Sequence, residues 1–533
     1  MLKRLVQGAV YLGLLASSVL GFGYTTSGNS IVVTTDGGLT FTVDKTSGDI
    51  TSMVFNGIET QDSSKRSQIA SGIGATCTPT QTGNSNNYVK ITCVAGSLTQ
   101  YYVAKYKDPA IHMATYITAE PSVGELRFIS RLKKSAVSSG YAVSEIAGGT
   151  AIEGSDVFKV GSATRSKFYS SKQFIDDQVH GASGNGVGVY MVIPGNGYEA
   201  SSGGPFFRDI NNQGGEIDLY SVIVIQNSGH TQTESNRMGL HGPYALWFTS
   251  GSAPSTFGES LIDLNTSFWE GLSVTGLVPQ SQRGRVTGKA SGIASSFSNY
   301  QTIGFSNSAA QYWVRTDSSG AFTSPYMKPG TYTMTLYKVE LAVASQSVTV
   351  SAGGTATSNI ASTESNPSSI WQIGDFDGTP RGFLNADKIE TMHPSDSRMS
   401  SWGPATFTVG NSVSSFPMAL FKAVGAVKIN FSLTSSQIGA RTLQIATTLA
   451  FAGGRPSVVV NNWNGPAPAA PSQPDSRGVT RGTWRGNNIM YTVSIPSGTL
   501  VAGSNSITIN VISGSSGDMY LSPNFVFDAL RLY

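Results

Sequence analysis

Three observations predict an all-β protein of several domains. The chain has 533 residues, more than one hydrophobic core supports, since domains run to roughly 100–200 residues and all-β ones to about 250. Charged residues make up only 13% while 61 residues are glycine, the composition of many short strands joined by turns. Apolar and polar residues alternate with period two in run after run, as in Leu39-Thr40-Phe41-Thr42-Val43 and Tyr102-Val103-Ala104-Lys105-Tyr106, with Gly, Asn, Asp and Ser between runs. No helical stretch of any length competes.

The first element is a leader. Met1-Leu2-Lys3-Arg4 is followed by an apolar stretch from Leu5 to Leu15 and small residues up to Gly21, the order of a secretory signal peptide over residues 1–21. The apolar run is too short to span a bilayer, so a secreted, extracellular protein without a membrane partner is expected. In that setting the two cysteines, Cys77 and Cys93, should pair. The polar Gly83-Asn84-Ser85-Asn86-Asn87 between them signals a hairpin centred on Ser85, which would set them opposite each other at disulfide distance. Asn265-Thr266-Ser267 and Asn430-Phe431-Ser432 are glycosylation sequons that fit the same route.

Residues 22–274 read as one large β-sandwich with long loops, because the alternation continues without a domain-length break. A polar, Pro-bearing joint at Leu277–Gln282 opens a second unit, 275–362. In it Pro329-Gly330 makes a turn and a new strand follows at once, as in a small Ig-like sandwich. A second joint, from Thr357 to Ser369, introduces residues 363–533, whose strand rhythm suits a jelly roll, a fold often used to hold carbohydrate.

The formal net charge of +3 is spread out, with no basic block longer than Lys133-Lys134, which excludes the footprint of a nucleic-acid binder. Five histidines are present, none in a transition-metal spacing, so no metal ligand set is assigned. Phosphate-cradling loops and a Gly-x-Ser-x-Gly elbow are absent too. Asp375-Phe376-Asp377-Gly378 offers oxygen ligands at a spacing that suits a structural calcium, although such text is more often a turn.

The densest polar constellation runs through Ile152–Asp156, Arg165–Tyr169 and Asn227–Glu234, joined by Gly124–Arg131. Period two puts Arg127 and Arg131 on one face of a strand, about 13 Å apart, where two guanidinium groups can flank an anionic polymer. Arg165 and Arg208 could bind substrate as well, or pair with Asp176, Asp177 or Asp209. His241 and His393, beside Gly-Pro and Pro-Ser, suggest turn and packing duties.

Here the chain resembles polysaccharide lyase family four, the fungal rhamnogalacturonan lyases. The resemblance is carried by Thr150–Phe158, Met238–Tyr244, Met392–Trp402 and Phe451–Pro456, and it extends from the first strands to the C-terminus. It implies a catalytic β-sandwich, a fibronectin-III-like middle domain and a C-terminal jelly roll like a carbohydrate-binding module. It also implies a catalytic pair, which falls on Lys167 and His230. The expected substrate is rhamnogalacturonan I and the expected reaction is endo-acting β-elimination by a monomer, with no cofactor required. Family members carry tyrosines on the strand before the catalytic histidine, where this chain has Val222-Ile223-Val224-Ile225 and only Tyr220 as a partial replacement, so sugar stacking should differ. Gly48 occupies the place where the resemblance would put a partner for Cys93.

Two other functions fit the residues. A pectin hydrolase would need two carboxylates, with Glu153, Asp156, Glu199, Asp209 and Glu234 as candidates. A non-catalytic pectin-binding protein would use the sandwiches alone. Because every candidate catalytic residue precedes Val274, the third domain is expected to be dispensable for the chemistry.

Overall fold

The computed structural model describes residues 21–69, 72, 74–120, 126–139, 143–146, 148–153, 157–166, 173–194, 196–201, 203–206, 216–219, 235–254, 267–471, 478–486 and 488–533. The leader, Lys167, His230, Asn265, Asp156, Arg208, Asp209, Glu234 and residues 220–225 lie outside the described residues. The protein is all-β, as the alternation demands.

Near the N-terminus, Gly23–Ser27, Ser30–Thr34, Leu39–Asp44, Ile50–Phe55 and Ile58–Glu59 form a five-stranded antiparallel sheet. It faces a seven-stranded sheet in the order Val179–Gly184, Val187–Val192, Gly239–Thr249, Ala110–Ile117, Leu98–Lys105, Tyr88–Ala95 and Thr76–Thr82. Alternate residues of the first sheet, Ile31, Val33, Leu39, Phe41 and Val43, are fully buried against Ile91, Tyr102, Ile111, Met113 and Leu246 of the second. Phe55 and Phe248 meet across the gap with ring centroids 5.9 Å apart.

Alternation fails in the middle of the larger sheet, for a physical reason. Leu98–Lys105 and Ala110–Ile117 are buried on both faces, because Phe268, Trp269 and Leu272 pack onto the outer face against Tyr101, Val103, Ala114 and Leu240. Such strands read as nearly continuous apolar runs rather than as half-buried ones.

Cys77 and Cys93 stand opposite each other in the hairpin of Thr76–Thr82 and Tyr88–Ala95 and form a disulfide. Gly48 lies against it: a Cβ there would sit 3.5 Å from the Cβ of Cys93 and 3.7 Å from Sγ of Cys77. Position 48 thus lies beside the Cys77–Cys93 pair, at a Cβ spacing from Cys93 that falls in the disulfide range.

A second core, built on Val286, Ile303, Phe305, Phe322, Met334 and Leu336, lies between the sheet of Gln311–Arg315, Gln301–Ser306, Gly330–Lys338 and Leu341–Val350 and a smaller sheet around Arg285–Ser291. A third fills the space between two five-stranded sheets running from Trp371–Gly374 to Asn524–Leu532. The first two units are joined by a buried charge cluster. Arg283 Nη1 lies 2.9 Å and Lys328 Nζ 3.1 Å from the Glu199 carboxylate, and the Tyr312 hydroxyl donates to it at 2.6 Å. Burial would raise that carboxyl, but the two cations outweigh burial and hold it at about 2.

Asp375-Phe376-Asp377-Gly378 forms a turn around Asp528. Asp528 Oδ1 accepts from the backbone N–H groups of Asp377, Gly378 and Thr379 at 3.1, 2.8 and 3.1 Å, and Asp377 Oδ1 accepts from Thr379 N–H and O–H. The three amide hydrogens converge on Asp528 Oδ1, so a side chain of the last strand closes the turn. Among the described residues no group of three or more His, Cys, Asp or Glu is placed to hold a metal ion. Burial pushes Asp377 up to about 6, and burial with the Asp377 charge pushes Asp528 up to about 8. Between about pH 4 and pH 8 the folded state therefore binds more protons here than the unfolded chain, and this pair's contribution to stability falls as pH rises. Asp528→Asn keeps an acceptor for the amides and removes the charge. It should raise the melting temperature by a few degrees at pH 8 and by less at pH 5; an equal loss at both would refute the assignment.

Candidate active site

Strand Ala163–Ser166 ends one residue before Lys167 in the sequence. One edge pairs with Val157–Val160. The other would be an open edge, and the third domain covers it. Ser162 O accepts from Ser397 N–H at 3.1 Å, Thr164 N–H donates to Asp396 Oδ2 at 2.6 Å, and Thr164 O accepts from Arg398 Nη2 at 3.1 Å. Ser166 N–H donates to Thr391 O at 3.1 Å, and the Ser166 hydroxyl to Arg481 O at 3.0 Å.

Asp396 is the centre of this clamp. Its carboxylate is buried, accepts also from the Thr164 hydroxyl at 2.8 Å, and takes the Arg398 guanidinium at 2.7 and 2.9 Å. Burial alone would raise its pKa, but hydrogen bonds from Arg398 and Thr164 hold it well below the ordinary carboxylate range. His393 lies beside it: its backbone N–H donates to the Thr164 hydroxyl at 2.9 Å, and its Nδ1 accepts from Ser395 N–H at 3.1 Å. Burial pushes the imidazole down to about 4, against the pull of Glu153 and Asp396. It is therefore neutral near pH 7, with Nε2 turned to Glu153 at 3.7 Å.

Beyond Lys167 the chain is anchored again. Gln173 Nε2 donates to Glu340 Oε1 of the middle domain at 2.6 Å, and Arg485 of the third domain grips the same oxygen at 2.6 Å. Both ends of the lysine-bearing segment are thus docked on the other two domains. The expectation that the third domain is dispensable for the chemistry rested on sequence position alone and took no account of these contacts. The Met392–Trp402 phrase carried the signal, but its role as an edge cover is a long-range contact that position does not show.

Arg131 ends the strand Phe128–Arg131, opposite Glu216 in register; Arg127 falls one residue before that strand. Leu126, Phe128 and Leu132 are buried in the core, so alternation turns Arg127, Ile129 and Arg131 to the opposite side. Both arginines are half-buried. Arg165 pairs with Glu145 rather than with Asp176 or Asp177, which are taken by Arg315 and His180. His241 is fully buried and bonded through Nε2 to Arg237 O at 2.6 Å, a packing role. Of the carboxylates a hydrolase would need, Glu153 lies 3.3 Å from Arg481 Nε and Glu199 is held by Arg283, so each is bound in a domain junction.

Three family models cover the chain: Rhamnogalacturonan lyase B, N-terminal, over residues 22–276, and polysaccharide lyase family 4 domains II and III over 282–358 and 369–532. The chain is 56% identical over 521 residues to Rhamnogalacturonate lyase A of Aspergillus aculeatus, covering 96% of each chain. It is 52% identical over 535 residues to Rhamnogalacturonate lyase A of Emericella nidulans, covering 98% of this chain and 99% of that one. With Probable rhamnogalacturonate lyase A of Aspergillus terreus it shares 55% over 518 residues, covering 96% and 95%. Likeness at this level through all three units leaves one conclusion: the chain belongs to the rhamnogalacturonan lyases of polysaccharide lyase family 4 and is a polysaccharide lyase.

Proposed function

We propose that this enzyme is secreted as a monomer and cuts rhamnose–galacturonate α-1,4 bonds within rhamnogalacturonan I by β-elimination, with Lys167 as base and His230 as acid. The observation that carries this proposal is the end-to-end similarity to relatives named rhamnogalacturonate lyase. In elimination the C5 proton of galacturonate passes to the neutral Lys167 amine, the C5–H electrons form a C4–C5 double bond, and the C4–O bond breaks. His230 gives its proton to the departing glycosidic oxygen. Charge building beside the carboxylate must be balanced, and Arg127 and Arg131 supply the cations, so no metal is needed. Substrate is the acidic polysaccharide, and the leader at residues 1–21 and the sequons at Asn265 and Asn430 support an extracellular route. Asn430 stands on the outward side of Val427–Leu433, between Lys428 and Ser432, where a glycan could leave the surface.

Incubating the protein with rhamnogalacturonan I should produce ultraviolet absorbance from a conjugated double bond together with a rapid fall in viscosity, the sign of internal cuts. Reducing ends without that absorbance would mean hydrolysis, and no products at all would mean a binding protein. Rate against pH should be bell-shaped, because His230 must be protonated and Lys167 neutral in the same molecule. His230→Asn should lower kcat by about 100-fold or more and remove the limb belonging to the acid. A variant with the parent's rate and profile would take His230 out of the mechanism.

A further inference from the structure

A cleft of about 390 Å³ is lined by residues of the first and second domains, among them Phe174, Ile175, Asp176 and Gln178, which follow the Lys167 segment in the chain and have no role in the mechanism above. Phe174, Tyr198 and Trp313 form its aromatic wall. Phe174 stacks on Tyr198 at 4.2 Å with 14° between planes and on Trp313 at 6.2 Å with 21°, and Trp313 is the partly exposed member. Arg285, which also lines the cleft, packs over Tyr326, its guanidinium carbon 3.7 Å from the ring centroid. Arg315 also lines the cleft, but Asp176 holds it at 2.8 Å.

Arg285 differs from the other arginines at the domain junctions. Arg283, Arg315, Arg481 and Arg485 are each ion-paired, whereas Arg285 has no carboxylate partner among the described residues, and its buried Nε has no hydrogen-bond acceptor. A buried donor left unmet is costly, and more so when charged. The stack on Tyr326 holds the guanidinium in one plane, and planar guanidinium matches a carboxylate edge-on with two hydrogen bonds. The volume falls at the low end of the roughly 300–1,000 Å³ typical of small-ligand sites, room for one or two sugar rings. An aromatic face for the apolar side of a sugar and a planar cation for its carboxylate are the two requirements of a uronate.

We propose that this cleft is a second, non-catalytic binding site for a uronate-bearing stretch of polysaccharide, with Arg285 taking the carboxylate and Trp313 the sugar face. It rests on the substrate class proposed above. By holding the polymer at a second point it raises the local concentration of chain at the catalytic sandwich, so it acts on long substrates and not on short ones.

The test uses the full-length protein and three variants, Arg285→Met, Arg285→Lys and Trp313→Ala, with a galacturonate-containing tetrasaccharide of rhamnogalacturonan I, its carboxyl-reduced analogue, and the polymer. Calorimetry, run in a Lys167→Ala background that does not turn the tetrasaccharide over, should resolve two sites for the acidic tetrasaccharide. Arg285→Met should weaken one at least tenfold, and Arg285→Lys should recover part of the loss, since it restores charge without the planar fork. KM on the polymer should rise about five- to tenfold in Arg285→Met and Trp313→Ala, while kcat on the tetrasaccharide stays at the parent's value. Unchanged binding and KM in Arg285→Met, or equal affinity for the carboxyl-reduced analogue, would overturn the proposal. If the parent itself forms no unsaturated product, the lyase mechanism fails instead, and the calorimetric arm still decides whether Arg285 binds a uronate.

Discussion

Lys167→Ala is expected to lower kcat on rhamnogalacturonan I by about 100- to 10,000-fold, the contribution typical of a positioned general base, while the dissociation constant for the polymer stays within about threefold. The asymmetry follows from when the lysine acts. It takes up charge only as the C5 proton leaves, so it stabilises the transition state and contributes little to the bound ground state. A substrate with a better leaving group at C4 should not rescue this variant, because C5 deprotonation has lost its base, whereas His230→Asn should be rescued in part. Steady-state rates with equilibrium binding separate the two effects. Activity within tenfold of the parent would remove Lys167 from the mechanism.

The second large effect is expected far from Lys167 in sequence. Asp396→Ala leaves Thr164 N–H, the Thr164 hydroxyl and the Arg398 fork without their common acceptor. The two Thr164 donors are buried and each costs about 1–3 kcal/mol when unmet, whereas the exposed Arg398 fork returns to water, so the third domain should loosen from the edge of Ala163–Ser166. A displacement of about 1 Å at a catalytic group can cost on the order of 100-fold, so kcat should fall by about 10- to 100-fold with KM little changed. Asp396→Asn, which keeps one acceptor oxygen, should recover part of that. Measurement well below the melting temperature, with circular dichroism unchanged, separates this from unfolding. A fragment ending at residue 362 should likewise fail on short oligosaccharides, where a domain that only tethers polymer would make no difference. Full activity in either case would return the third domain to an accessory role.

How much could be read without coordinates depended on the range of the interactions. Period-two alternation predicted the strands, because the side chains of a strand point alternately to two faces and one must be apolar. It put Arg127 and Arg131 on one face of a single strand, whereas the strand begins at Phe128 and includes only Arg131. The turn residues around Ser85 were enough to set Cys77 against Cys93, since a hairpin's register follows from its turn. Local rules failed where strands were covered on both faces, as at Leu98–Lys105, because what lies on the second face arrives from Phe268–Leu272, over 160 residues away.

The same limit governed the site. Glu153 and Glu199 looked available as catalytic acids, and Arg165 looked ready for Asp176 or Asp177, because sequence shows charge but not its partner. Tertiary structure assigns those partners: Glu153 and Glu199 are paired across domain junctions, where burial makes pairing obligatory, and Arg165 is paired with Glu145 within the first domain. The chain's composition and alternation determined that it would be all-β and where its turns would fall, and its matching phrases determined its family. Only the tertiary structure decided that the strand entering Lys167 has its edge closed by residues 391–398, since an open strand edge is completed by whichever backbone the fold brings to it, at any distance along the chain.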